Sequence, residues 1–169
     1  MYNKLYAGLP GVANMGAGYM ALAVPTSLGT VGLGVGSFMA SGLKSERTVA
    51  ASYGRAVGKL RLGVTAKYLS HSYDTSGDVR AERDPVFANG VSKSALSADI
   101  GMVASIMGPL RAGLAVRNIN QPDVGLATED RVPREFHGGL FLDVSGLDLR
   151  TSADMFIRDN GFGETGDHV

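Results

Sequence analysis

The chain has no cysteine and no tryptophan. Without cysteine there is no disulfide, no thiolate-ligated zinc and no thiol nucleophile. That lack suits the cytosol and a Gram-negative envelope equally. An excess of one charge is missing too. Lys+Arg and Asp+Glu both number 16 in 169 residues, so no global field draws in nucleic acid or an acidic substrate. No apolar run approaches the roughly 20 residues of a spanning helix. The opening "MYNKLYAGLPG" lacks the apolar core of a signal peptide. Helical periodicity is scarce, because the 24 glycines punctuate every apolar stretch.

What the chain has is alternation. In 29–39, Val31, Leu33 and Val35 point one way and Gly32, Gly34 and Gly36 the other. In 60–72, Leu62, Val64, Ala66 and Tyr68 alternate with Arg61, Gly63, Thr65 and Lys67. The same period of two runs through 94–106, 110–117 and 147–158. Successive side chains of a strand face opposite ways, so each stretch has an aliphatic face and a small-or-charged face. The pattern predicts strands at 2–7, 16–24, 29–39, 47–57, 60–72, 94–106, 110–117, 133–144 and 147–158. The fold class is therefore all-β: an antiparallel up-and-down meander of about nine long strands in one domain, 1–169.

Several of these strands exceed the common length of about five or six residues. They match the roughly 9–11 residues that a tilted strand needs to cross a bilayer. Short connections are expected near 25–28, 58–59, 107–109 and 145–146, and long ones at 8–15, 40–46, 73–93, 118–132 and from 159 onward. Gly58-Lys59 suits a Gly-first two-residue turn, and Ser145-Gly146 a related one. Short and long in turn put every short turn at one end of the sheet, as in outer-membrane barrels. A soluble β-sandwich also alternates. Its outer face, however, usually carries Lys, Glu and Gln, whereas here the minority face is Gly, Ser, Thr and charges of both signs.

The run "SALSADIGMVASI", 94–106, places a carboxylate amid apolar residues. Asp99 falls on the small, polar face. So do Arg61, Lys67, Arg111, Arg117, Asp143, Asp148, Arg150, Asp154 and Arg158. Arg or Lys on a lipid face would cost about 2–4 kcal/mol at the midplane, so these charges must face inward or lie at the rims. Mixed signs favour mutual pairing over a single-sign selectivity ring. The set Lys67, Asp99, Arg111, Arg117, Asp143, Arg150, Asp154 and Arg158 thus reads as an interior charge network, structural by default and a solute path by alternative. A three-residue loop at 107–109 makes residues summing to 216 opposite, which sets Asp99 against Arg117.

Other motifs carry little chemistry. "GLGVG", 32–36, lies inside a strand pattern, not between a strand and a helix as a dinucleotide loop would. His71, His137 and His168 are far apart and lack metal-ligand spacing. No "GxSxG" nucleophile elbow occurs. Asp74, Asp78, Glu82 and Asp84 lack EF-hand spacing. No catalytic, cofactor or metal residue is assigned. Two loops are candidates for partner contact, since loops on a rigid scaffold often carry recognition. One holds Asp84, Pro85 and Phe87, with Phe87 as an anchor. The other holds Asn120, Gln121, Pro122 and Asp123, with Val124 and Leu126 packing against the barrel mouth. Plain loop capping explains both equally well.

The segments "YAGLPGVANMGAGYMALAVPTSLGTVGLGVGSF", "KYL", "NINQPDVGL" and "VPREFHGGL", in this order, resemble the PorV/PorQ-type outer-membrane proteins, remote relatives of the FadL transporters. The likeness runs from about Leu5 to Arg158. It implies a β-barrel in the Gram-negative cell outer membrane. It also implies a non-enzymatic role in transport or as an accessory of type IX secretion. The partners implied are outer-membrane lipid and either secretion-machinery proteins or a hydrophobic solute, with no nucleic acid. The ends lack a signal peptide, an early "NPAG"-like segment and a terminal aromatic. Nine strands is also an odd count for a bacterial barrel. The expectation is a partial chain, truncated at both ends. A soluble β-rich binding module and a hydrolase on a β scaffold remain as alternatives.

Overall fold

A computed structural model describes residues 2–6, 15–76, 79–144 and 149–159. Nine strands form one sheet in strict chain order. They are β1 (Tyr2–Tyr6), β2 (Met15–Thr26), β3 (Gly29–Ala40), β4 (Lys44–Val57), β5 (Leu60–Tyr73), β6 (Ser92–Met107), β7 (Leu110–Arg117), β8 (Glu135–Val144) and β9 (Leu149–Arg158). Every neighbouring pair is antiparallel. The sheet curls into a half-barrel. Among the described residues, β1 and β9 each have one strand neighbour.

The turns follow local chemistry. Gly58 takes φ +60 between β4 and β5, a left-handed value that glycine adopts without a Cβ penalty. Gly29 takes φ +148, and a Cβ there would sit 2.6 Å from the Gly54 carbonyl oxygen. The β6–β7 connection departs from the expected three-residue loop. Met107 pairs with Leu110 around a two-residue Gly108-Pro109 turn, and a bulge lies between Ser105 and Met107. The bulge adds the missing residue, so Ile100↔Val116 through Ser105↔Arg111 still sum to 216. The Ser145-Gly146 turn lies outside the described residues.

One expected long loop is short. Residues 41–43 alone join β3 to β4, with Gly42 at φ +74. Lys44, Ser45 and Glu46 pair with Ala40, Met39 and Phe38 on one side and with Tyr73, Ser72 and His71 on the other. Their polarity suggests loop, but strand pairing continues past the apolar zone. The connections 74–91 and 118–134 are long. The first contains a helical turn, α1 (Val79–Glu82), and a 3-10 turn, Pro85–Phe87.

The alternation puts large apolar side chains on the convex face. Leu33, Leu96 and Met155 are 60, 70 and 67% exposed there. The concave face carries most of the glycines and charges, together with Phe38, Phe141 and Phe156. Gly32, Gly34 and Gly36 all lie on it, in register with Ser52, Ala50 and Thr48. "GLGVG" is thus a strand interior with a glycine-lined face, which leaves room for neighbouring groups. Among the described residues the buried ones are few. Ala40, Leu69, Lys67, Ser97, Asn118 and Val124 are among them. The four of these on strands share the concave parity, towards the end of the long loops.

Candidate functional site

The concave face bounds an open trough of about 1040 Å³. Its floor includes a lane without side chains beyond a methyl, where Gly54 pairs Gly63, Gly63 pairs Gly101 and Gly101 pairs Ala115. Charge borders the lane. Arg61, Asp99, Arg111, Arg117 and Asp154 line the trough directly. Lys67, Asp143, Arg150 and Arg158 fall on the same face by register. The structure therefore brings the eight residues of the expected charge network, and Arg61, onto one face. Asp148 lies outside the described residues.

The pairing inside that network differs from the expectation. Asp99 does not pair with Arg117. Its carboxylate binds Lys67 at 2.6 Å and accepts the Asn118 backbone N–H at 2.9 Å. Asp99 stands directly opposite Thr65 on β5, and Lys67 is the diagonal neighbour two residues on, within reach of a long side chain. Arg117 instead turns to its own cross-strand partner, Glu135, at 3.3 Å.

Around Lys67 the polar groups form a knot. Its ammonium also donates to Asn118 Oδ1 at 2.7 Å. Ser97 Oγ donates to the same oxygen at 3.1 Å, and Asn118 Nδ2 donates to the Pro133 carbonyl at 2.9 Å. Lys67 is only 8% exposed, and Ser97 and Asn118 are also buried. A buried ammonium is tolerated when it is paired and hydrogen-bonded. Asn118 holds φ +52, a left-handed geometry that Asn adopts more readily than most residues.

A second cluster centres on Glu135. It accepts Arg158 at 2.7 Å, His137 Nε2 lies at 3.1 Å, and Arg117 completes the group. Asp143 meets Arg150 at 3.6 Å. The Arg111 guanidinium lies 5.9 Å from the centroid of the Phe141 ring. Asp154 sits against Gly139, where an added Cβ would collide with its carboxylate.

The two candidate contact loops are tied down, both within themselves and to the strands. Asp84 Oδ1 accepts the Val86 N–H at 2.9 Å, with Pro85 opening the 3-10 turn. Phe87 packs on Tyr73 with ring centroids 6.0 Å apart. In the second loop, Asn120 binds the edge of β6 through both ends of its amide, accepting Ala98 N–H and donating to the Leu96 carbonyl. It extends the ladder where β7 has stopped. Gln121 donates to Asp159 at 3.2 Å. Pro122 is buried. Asp123 accepts the N–H groups of Asp130 and Gly125, each at 2.9 Å. These two donors hold the Asp123 carboxyl below its ordinary range. Val124 is 2% exposed and Leu126 half-buried.

Sequence reasoning missed Ser97, Asn118, Glu135 and Arg134, whose guanidinium donates to the Ile119 carbonyl at 2.9 Å. Glu135 shares the parity of Asp143 on β8, so alternation alone could have found it. Asn118 had one signal, an Asn directly after a strand. His71 and His137 sit on β5 and β8, and His168 lies outside the described residues. Among the described residues no three His, Asp or Glu side chains gather as metal ligands. In this arrangement cations and N–H donors face carboxylates pairwise, which holds the concave face together across β5 to β9. No protein-family profile, curated protein or solved structure matches the chain.

Proposed function

We propose that this chain is part of an outer-membrane β-barrel, non-enzymatic, with a transport or secretion-accessory role. The observation that carries the proposal is the convex face. Leu96, Ile100, Met102 and Ile106 lie along one line on β6, and all are exposed. Ten residue steps at about 3.3 Å span roughly 33 Å. With the strand tilted by about 40°, the line stands roughly 25 Å tall, the height of a barrel's apolar band. The next row towards the long loops is polar and in register: Ser37, Arg47, Ser70 and Ser94. Tyr68 stands one row inside it, where barrel aromatics meet the interface. Arg55, on the same convex face, sits two residues before the β4–β5 turn, near enough to the rim for its head to reach water.

An apolar belt of this size in water would be an aggregation liability, since soluble monomers rarely expose more than a few hundred Å² of contiguous apolar surface. Against lipid it is stabilising. The concave charges then face a lumen, where pairing replaces hydration. Transport and secretion share this architecture, and both use the trough and the long loops.

The test is partition. Expressed in a Gram-negative host, the protein is expected in the outer-membrane fraction, to need detergent for extraction and to run heat-modifiably in gels. A monodisperse protein that stays soluble without detergent refutes the membrane reading and leaves the soluble β-rich module.

A further inference from the structure

Loop 118–134 does not simply cap the sheet. It enters the concave side and touches β5 and β6 at successive heights. Asn118 meets Lys67 and Ser97. Asp123 faces Lys93 at 3.8 Å. Asp130 lies within electrostatic reach of His71. Lys67, His71, Ser97 and Lys93 all share the concave parity of their strands. The loop therefore lies over that face at the long-loop end, which explains why burial concentrates there.

The loop also has a structure of its own. Val124 N–H donates to the Asp130 carbonyl and Val132 N–H to the Pro122 carbonyl, both at 2.9 Å. Asp123 ties the inside of this tongue by accepting two backbone N–H groups. A Cβ on Gly125 would strike the Thr128 carbonyl, so the tip is tight. At the base, Asn118 and Gln121 take φ +52 and +44. Asn118 and Arg134 then cross-brace the two ends, through the Pro133 and Ile119 carbonyls respectively. The tongue is bonded within itself through backbone, while beyond its base, where the Ile119 N–H donates to the Ala98 carbonyl at 2.9 Å, its ties to the sheet wall run through side chains. Such a unit can move whole once the side-chain ties are cut.

We propose that loop 118–134 is an inward-seated tongue that closes the long-loop mouth of the trough, latched by the Lys67–Asp99–Asn118 knot. The inference rests on reading the trough as a lumen. Its test needs only the trough and the tongue, so it stands or falls separately from membrane partition.

The absence of cysteine makes thiol labelling clean. A Leu69→Cys reporter, outside the knot, is buried beneath the tongue between Lys67 and His71 on the concave row of β5, and a Ser105→Cys reporter lies half-buried at the far, short-turn end of the same face. Each is placed in the otherwise unaltered protein, in Lys67→Met and in Asn118→Ala, and labelled in detergent with a hydrophilic maleimide. The latch predicts that the Leu69→Cys thiol labels at least about ten-fold faster in both latch variants, while the Ser105→Cys thiol keeps its rate. An unchanged rate for the Leu69→Cys reporter overturns the latch. Equal acceleration of both reporters also overturns it, because the knot would then hold up the whole sheet and not the mouth.

Discussion

Removing the Lys67 ammonium tests the energetics of the knot directly. In Lys67→Met, Asp99 keeps one donor, the Asn118 N–H, and loses its only cation within 4 Å among the described residues. The lysine is 8% exposed and the Asp99 side chain 18%. Breaking a pair at this depth by deleting one partner costs about 3 kcal/mol. Asp99→Asn deletes the other charge and strands the ammonium on Asn118 Oδ1, at a similar cost of about 3 kcal/mol. The double variant has no charge left to strand. Its methionine fills the lysine's space, and its asparagine can still accept the Asn118 N–H. It should lose only about 1–2 kcal/mol, because replacing a whole buried pair is close to neutral. The coupling is then about 4 kcal/mol in favour of the double, large for neighbouring side chains. With no tryptophan in the chain, unfolding is best followed by far-UV circular dichroism in detergent, with denaturant. If the double variant is as unstable as the sum of the singles, the two side chains do not act as a pair and no ionic knot holds this end of the sheet.

Three further outcomes are expected. Gly29→Ala should cost about 2–3 kcal/mol, since its Cβ meets a backbone carbonyl at 2.6 Å from a positive φ, whereas Gly36→Ala, with only the Thr48 Cβ at 4.0 Å, should be close to neutral; thermal unfolding of the two variants separates them. At Asn118, Ala should be worse than Gly by about 1 kcal/mol, because both lose the side-chain bonds but only Ala is strained at φ +52; equal melting temperatures would contradict this. Asp123 has a depressed folded pKa, through the Asp130 and Gly125 N–H donors. It therefore stabilises the tongue above the unfolded carboxyl value of about 3.8 and loses that effect as pH falls through the lower, folded value. Exchange protection of the Asp130 amide should fall in that acid window, and in Asp123→Asn the fall should vanish.

Alternation carried most of the fold. On β3 and β5 the period of two is unbroken over the apolar stretch, and those strands lie where the pattern puts them. The errors sit where polarity and pairing part company. Lys44–Glu46 reads as loop, yet it pairs on both sides because the sheet extends beyond its apolar zone. The partner of Asp99 was legible only to within one cross-strand neighbour. Register sets which residues are opposite, but Lys67 reaches diagonally and Glu135 competes for Arg117. Asn118 was the least legible of all. Its role depends on contacts from β5, β6 and Pro133 at once, and no local pattern encodes those.

The meander has a consequence for how the molecule assembles. Among the described residues every strand pairs only with its neighbours in the chain, so the sheet can grow one hairpin at a time, each finished edge templating the next strand. Loop-closure entropy stays small at each step. The tongue is the exception. Its tie to Lys67 joins residues 51 apart in sequence, and its Gln121 reaches forward to Asp159 after β9. Neither contact can form until the strands between are in place. The Lys67 tie can therefore form once β7 has paired, whereas the Gln121 brace waits for β9, so the tongue seats in two steps as the wall grows.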